Sequence, residues 1–249
     1  MKRSLLVLAP ALIALAGIAS AQMKVSKKEY QAYMDVQNAT TPDARIAAAD
    51  KFVESFADSK LKSQVLFMAA DAAERKNDSA TAITYAQNAL DADPKNYEAM
   101  LLISGELARI TREHDLDRDD KLAKATKYAN DAIAAVNEAP KPNNNITDDQ
   151  WTAYKKDKVA EAHRDIAMCF ADQKKYDDAI KEFKTSIDAG ATPDPTTMIR
   201  LAAAYDGAGK PDDAIAELDK VLAMPNLPPA LKPFAQHEKT VAEALKNKK

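Results

Sequence analysis

The sequence predicts an all-α fold: an α-solenoid of stacked antiparallel helix pairs closed by a C-terminal capping helix. Three observations predict it. The 249-residue chain is 46% hydrophobic with only 5 glycines, and Ala, Leu, Lys, Glu and Asp dominate; these residues form helices or tolerate helix surfaces. Val, Ile and Thr nowhere fall into the alternating runs of a half-buried strand. One phrase also returns: KKYDDAIKEFKTSIDAG, Lys174 to Gly190, reappears as GKPDDAIAELDKVLAMP, Gly209 to Pro225. A recurrence near 34 residues is the period of a repeat array.

The elements are expected in this order. Residues 1–21 have the pattern of a secretory signal peptide: Lys2 and Arg3, an uncharged run from Ser4 to Ser20, then Ala19-Ser20-Ala21. Cleavage is expected after Ala21, with retention as an anchor the alternative. Residues 22–62 read as a divergent helix pair, with Thr41 capping a second helix that opens at Pro42. Residues 63–140 hold two repeats, the second with an insertion around HDLDRDDK. Residues 141–150, with Asn143, Asn144 and Asn145, read as a loop. Residues 151–226 hold two further repeats, the first with an extended opening helix. Residues 227–249 read as a polar closing helix, which an array needs to cover its last apolar face.

The packing logic lies in the second helix of each pair. Ala179, Phe183 and Ser186 fall at i, i+4, i+7, on one helix face. The same slots hold Ala214, Leu218 and Val221 in the next copy, and Ala82, Ala86 and Ala89 or Ala125, Ala129 and Ala132 upstream. A small residue at the first slot lets a neighbouring helix approach closely. The preceding helices carry Ile166-Ala167 with Phe170, and Leu201-Ala202 with Tyr205. Gly207 and Gly209 are expected to allow the last intervening turn, with Pro211 at a first helical position.

This pattern resembles the tetratricopeptide-repeat (TPR) family, whose features are a large–small pair and an aromatic in the first helix, an Ala opening the second, and a closing Pro. Leu201-Ala202, Tyr205 and Ala214 match, as do Ile166-Ala167, Phe170 and Ala179. The copy at Ser63–Lys95 keeps Ala82, Ala89 and Pro94 but has Ala73 at the aromatic slot; the copy from Tyr97 keeps Gly105, Ala125 and Ala132. The family's Trp slots are unfilled, since Trp151 lies upstream of its repeat. The resemblance implies a right-handed superhelix whose first helices line a concave groove for a peptide or protein. By register, that groove would include Gln64, Phe67, Asp71, Leu102, Glu106, Arg109, Glu161, Arg164, Met168, Ile199 and Ala203. The slots some members use to hold a C-terminal carboxylate carry Phe67, Asp71, Arg164 and Met168 here, a departure from the Lys and Asn of that subset.

Chemistry-bearing motifs are not apparent. His114, His163 and His237 are far apart, and HEKTV lacks the second His of a zinc-protease motif. Cys169 stands alone between Met168 and Phe170, so no internal disulfide can form and a core thiol is expected. An EF-hand loop counted from Asp115 would place Asp120 and Thr126 where Gly and Glu are required. Asn38, Asn77 and Asn145 head sequons that matter only in a glycosylating host. No cofactor is expected. Losing Lys2 and Arg3 with the leader takes the formal charge from −3 to −5, which gives no reason to expect nucleic acid. The expectation is a non-catalytic interaction scaffold of the envelope or exterior binding a protein or peptide. The alternatives are a self-associating envelope assembly factor and an enzyme with an unrecognised site.

Overall fold

A computed structural model describes residues 25–142 and 145–247. The expected leader, residues 1–21, lies outside the described residues. Among the described residues, eleven helices and no strands are found. They are α1 (Lys27–Asn38), α2 (Pro42–Ser55), α3 (Lys62–Arg75), α4 (Ser79–Ala92), α5 (Tyr97–Ile110), α6 (Arg118–Glu138), α7 (Asp148–Asp172), α8 (Tyr176–Ala189), α9 (Pro195–Gly207), α10 (Pro211–Leu222) and α11 (Lys232–Lys246). Each helix packs on the next, giving five pairs, α1/α2 to α9/α10, and a final helix against both α9 and α10.

Local chemistry places the starts. Ser26 and Glu29 form a capping box on α1, and Thr41 accepts the Ala44 N–H ahead of Pro42 on α2. Asp78, Asn96 and Asp194 accept first-turn N–H groups of α4, α5 and α9. Helix α7 begins inside the stretch read as loop 141–150, because Thr147 and Gln150 form a second capping box. The resulting 25-residue helix turns Trp151 inward, where it stacks on Tyr154 with ring centroids 5.3 Å apart.

Three of the turns inside pairs are the same turn. Asn77, Lys174 and Gly209 occupy its middle position with φ of 57°, 59° and 71°. The next residue's N–H in each case reaches back to the helix: Asp78 to the Ala73 carbonyl at 3.0 Å, Lys175 to Phe170 at 2.9 Å and Lys210 to Tyr205 at 2.9 Å. This left-handed closure satisfies carbonyls that a helix end leaves open. Gly209 therefore does what the sequence suggests, whereas Gly207 does not: it lies within α9, and a Cβ there would sit 2.4 Å from the Tyr176 ring. Its hydrogen is demanded by space. Between α5 and α6 the turn is replaced by residues 111–117, held by Arg112 donating to the Arg109 carbonyl (2.7 Å) and by Lys121 to Asp115 (3.0 Å).

The core runs along the solenoid as three linked clusters. Ala82, Ala86 and Ala89, Ala125, Ala129 and Ala132, Ala179, and Ala214 are all fully buried, with Phe183 and Leu218 beside them. Ala167, Ala202 and Tyr205 are buried and Phe170 is partly so. The first pair repeats the device with Ala49 and Phe52. The cap corrects one expectation. Helix α11 is not polar all round: it buries Ala235 and Ala242, while Phe234 (65% exposed), Val241 and Leu245 form an exposed apolar stripe.

Candidate protein-binding groove

The groove residues named by register all stand on the first helices of their pairs: Gln64, Phe67 and Asp71 on α3, Leu102, Glu106 and Arg109 on α5, Glu161, Arg164 and Met168 on α7, and Ile199 and Ala203 on α9. Their exposures differ. Leu102 is buried in the core, so it has no surface to offer a partner. Glu106, 2% exposed, is covered by Arg109, which donates to both its oxygens at 3.2 and 2.6 Å and to the Ser79 hydroxyl at 2.8 Å. Phe67, Met168 and Ile199 pack against the core yet remain partly exposed. Ala203 is exposed.

Charge along these helices is dense and mostly paired. Asp71 meets Arg75 at 2.9 Å and Arg45 of α2 at 3.9 Å. On α7, Glu161 lies 2.9 Å from Lys158 and 3.7 Å from Arg164. Burial opposes ionisation of Glu161, but Lys158 and Arg164 outweigh it and hold its carboxyl below the usual range. Glu74 of α3 behaves oppositely. Partial desolvation, and then the carboxylates of Glu106, Asp71 and Glu161, push it up.

Asp165, Glu74 and Arg200 escaped the sequence reading. Asp165 is 1% exposed; one oxygen accepts from Arg164 at 3.0 Å, and the other has no hydrogen-bond partner and faces Gly105. Burial pushes its carboxyl up to about 7 against the pull of Arg164. Asp165 and Arg200 each directly precede the large residue of a large–small pair, Ile166 and Leu201. That shared place was the available signal. Arg200 stands electrostatically beside both Arg164 and Asp165, and desolvation lowers its pKa. Near the start of α9, a cleft of about 220 Å³ opens between Arg164, Ser186 and Thr197. Its acids are engaged: Asp157 accepts the Ala191 N–H and Asp194 caps α9.

Other residues that attract a chemical reading have structural roles. Cys169 is buried, and burial pushes its thiol up to about 12, which makes a thiolate nucleophile unfavourable. His163 pairs with Glu182 at 2.7 Å. Among the described residues no group of three or more His, Cys, Asp or Glu is placed to hold a metal ion, and no helix is long and apolar enough to cross a membrane.

The fold defines a class: a helical-repeat solenoid built from consecutively packed helix pairs. Residues 67–140 match the tetratricopeptide-repeat family. Helix pairs of the same build flank the matched stretch on either side. No curated protein matches the sequence. Solved structures do. MamA residues 41 to the end from Desulfovibrio magneticus RS-1 superposes with a TM-score of 0.60 at 12% identity, over 79% of this chain and 94% of that one. PilW, described as a widely conserved type IV pilus biogenesis factor, gives 0.57 at 16% identity over 90% and 93%. TTC0263, a thermophilic TPR protein of Thermus thermophilus, gives 0.56 at 16% over 87% and 96%. At such identities the likeness is one of fold.

Proposed function

We propose that this protein is a non-catalytic scaffold of the cell envelope or exterior that binds a protein or peptide segment in its concave groove. The carrying observation is the row Phe67, Met168 and Ile199. These large apolar side chains stand on α3, α7 and α9, each anchored in the core and each partly exposed. Apolar anchors among paired charges suit a segment that covers them and excludes water. A PilW-like fold in a pilus biogenesis factor is consistent with this reading, and the leader pattern of residues 1–21 supports the location. A photo-crosslinking residue at Phe67 or Met168 should capture the same partner in the native envelope, whereas one at Lys181, exposed on a second helix, should not. Capture from Lys181 alone would overturn the groove assignment.

The exposed stripe of Phe234, Val241 and Leu245 favours a second reading, self-association through the cap. Sedimentation velocity across concentration separates the two. A chain that stays monomeric removes the second reading and leaves the first.

A further inference from the structure

Helix α11 has the build of a first helix. Val241-Ala242 with Leu245 repeats the spacing of Ile166-Ala167 with Phe170 and of Leu201-Ala202 with Tyr205. It packs on both helices of the pair before it, α9 and α10, as α3, α5 and α7 pack on α1 and α2, α3 and α4, and α5 and α6. Lys246 meets Asp212 at 2.7 Å, one pair further along than the bridge from Lys210 to Asp177 at 2.7 Å. The small residue is fully buried in all three helices, as Ala167, Ala202 and Ala242. The large residue is not. Ile166 and Leu201 are 5% and 2% exposed, with α8 and α10 packed alongside, whereas Val241 is 38% exposed. Among the described residues no helix takes the second place beside α11. Phe234, Val241 and Leu245, at i, i+7 and i+11, are thus the uncovered face of an unfinished sixth pair.

We propose that this place is filled by a basic amphipathic helix of another protein, seated on α11 as α8 is seated on α7. The α7–α8 pair gives the pattern. His163, three residues before Ile166, meets Glu182 of α8 at 2.7 Å; Glu182 follows the small Ala179 by three and directly precedes Phe183. Glu238 stands three residues before Val241, at the place of His163. It puts a carboxylate where α7 carries an imidazole, so the complementary group is a cation. The Glu238 side chain has no ion pair or hydrogen bond among the described residues. Its neighbours Lys239 and Lys246 are committed to Asp219 and Asp212 of α10 at 2.7 Å. The occupant therefore carries a small residue, Lys or Arg three further on, and a large apolar residue next. Helices α4, α6, α8 and α10 have Tyr85, Tyr128, Glu182 and Glu217 at the basic place, none of them a cation. The matching helix thus belongs to a different protein, and this occupant differs from the second copy of the self-association reading.

Two labelled peptides of residues 174–190, one with Glu182→Lys and one unaltered, test it by fluorescence anisotropy against the full chain. The Lys peptide should bind about fivefold tighter than the unaltered one, and Glu238→Lys in the chain should reverse that order. Val241→Asp, at an exposed position, should weaken binding of the Lys peptide by about tenfold or more. No binding of the Lys peptide, an order of affinities that Glu238→Lys leaves unchanged, or binding undiminished by Val241→Asp would each overturn the proposal. So would self-association in sedimentation velocity that Val241→Asp abolishes, because a second copy would then hold the seat. The groove reading stands or falls separately, on crosslinking at Phe67 and Met168.

Discussion

Arg109 closes over Glu106 from one turn further along α5, donating to both oxygens of a carboxylate that is only 2% exposed. The pair also reaches α4 through the Ser79 hydroxyl, so it ties the C-terminal end of α5 to the preceding helix. Removing Arg109 would leave a buried charge without compensation. We expect Arg109→Ala to lower stability by about 2–3 kcal/mol, below the full cost for a buried pair because Arg109 is 44% exposed. Urea unfolding checks it. Adding Glu106→Gln to Arg109→Ala should recover part of the loss, since the stranded charge is then gone.

Gly207→Ala sets two effects against each other. Alanine is favoured over glycine in a helix by at most about 1 kcal/mol, and less at Gly207, the last residue of α9, whereas the new methyl would overlap the Tyr176 ring. Overlap of this depth forces the ring aside, and overpacking of this kind costs about 1–3 kcal/mol. The expected result is a lower melting temperature for Gly207→Ala, relieved when Tyr176→Ala is added. A gain in stability from Gly207→Ala alone would show that the ring moves freely.

Stability should also depend on pH through Asp165. Burial raises its carboxyl to about 7, whereas the unfolded chain restores about 3.8. The folded state therefore holds a proton that the unfolded state releases. Its contribution is complete below about pH 4 and is lost as pH rises through about 7. Exposed acids such as Asp78 and Asp148 are shifted down, by hydrogen bonds from Thr81 and Lys141 respectively, so their effect falls below about pH 4, outside this window. The urea midpoint should thus be higher near pH 5 than near pH 8. Asp165→Asn, whose Oδ1 still accepts from Arg164, should reduce the difference without abolishing it, because Asp206, its carboxyl oxygens shielded from solvent, is also raised, to about 6.

How far the chain could be read before its structure is clearest in particular residues. Ala179, Ala214, Phe183 and Leu218 were legible because helical spacing and repetition reinforce each other, and all four are buried. The start of α7 was obscured by the Pro and Asn run before it, which outweighed the Thr147–Gln150 capping box. Gly207 was misread because glycine near a helix end suggests a turn; only the position of the Tyr176 ring reveals a spatial demand. The stripe on α11 was hidden among Lys and Glu, so the segment read as polar although Phe234, Val241 and Leu245 are exposed along it. For the groove, register put the named residues on the first helices of their pairs but could not separate buried Leu102 from partly exposed Met168. Asp165 was missed because a charged residue beside Ile166 reads as surface.

One joint is used repeatedly along the solenoid: a small residue opening each second helix lets successive helices nest, and stacking stabilises pairs that would be marginal alone. Thermal melts of four single variants, Ala82→Leu, Ala125→Leu, Ala179→Leu and Ala214→Leu, test this most directly, because each site is fully buried. Each variant should lose about 1–3 kcal/mol by overpacking, while Lys181→Leu on the exposed face of α8 should change little. Four unaltered melts, or a loss as large from Lys181→Leu, would contradict it.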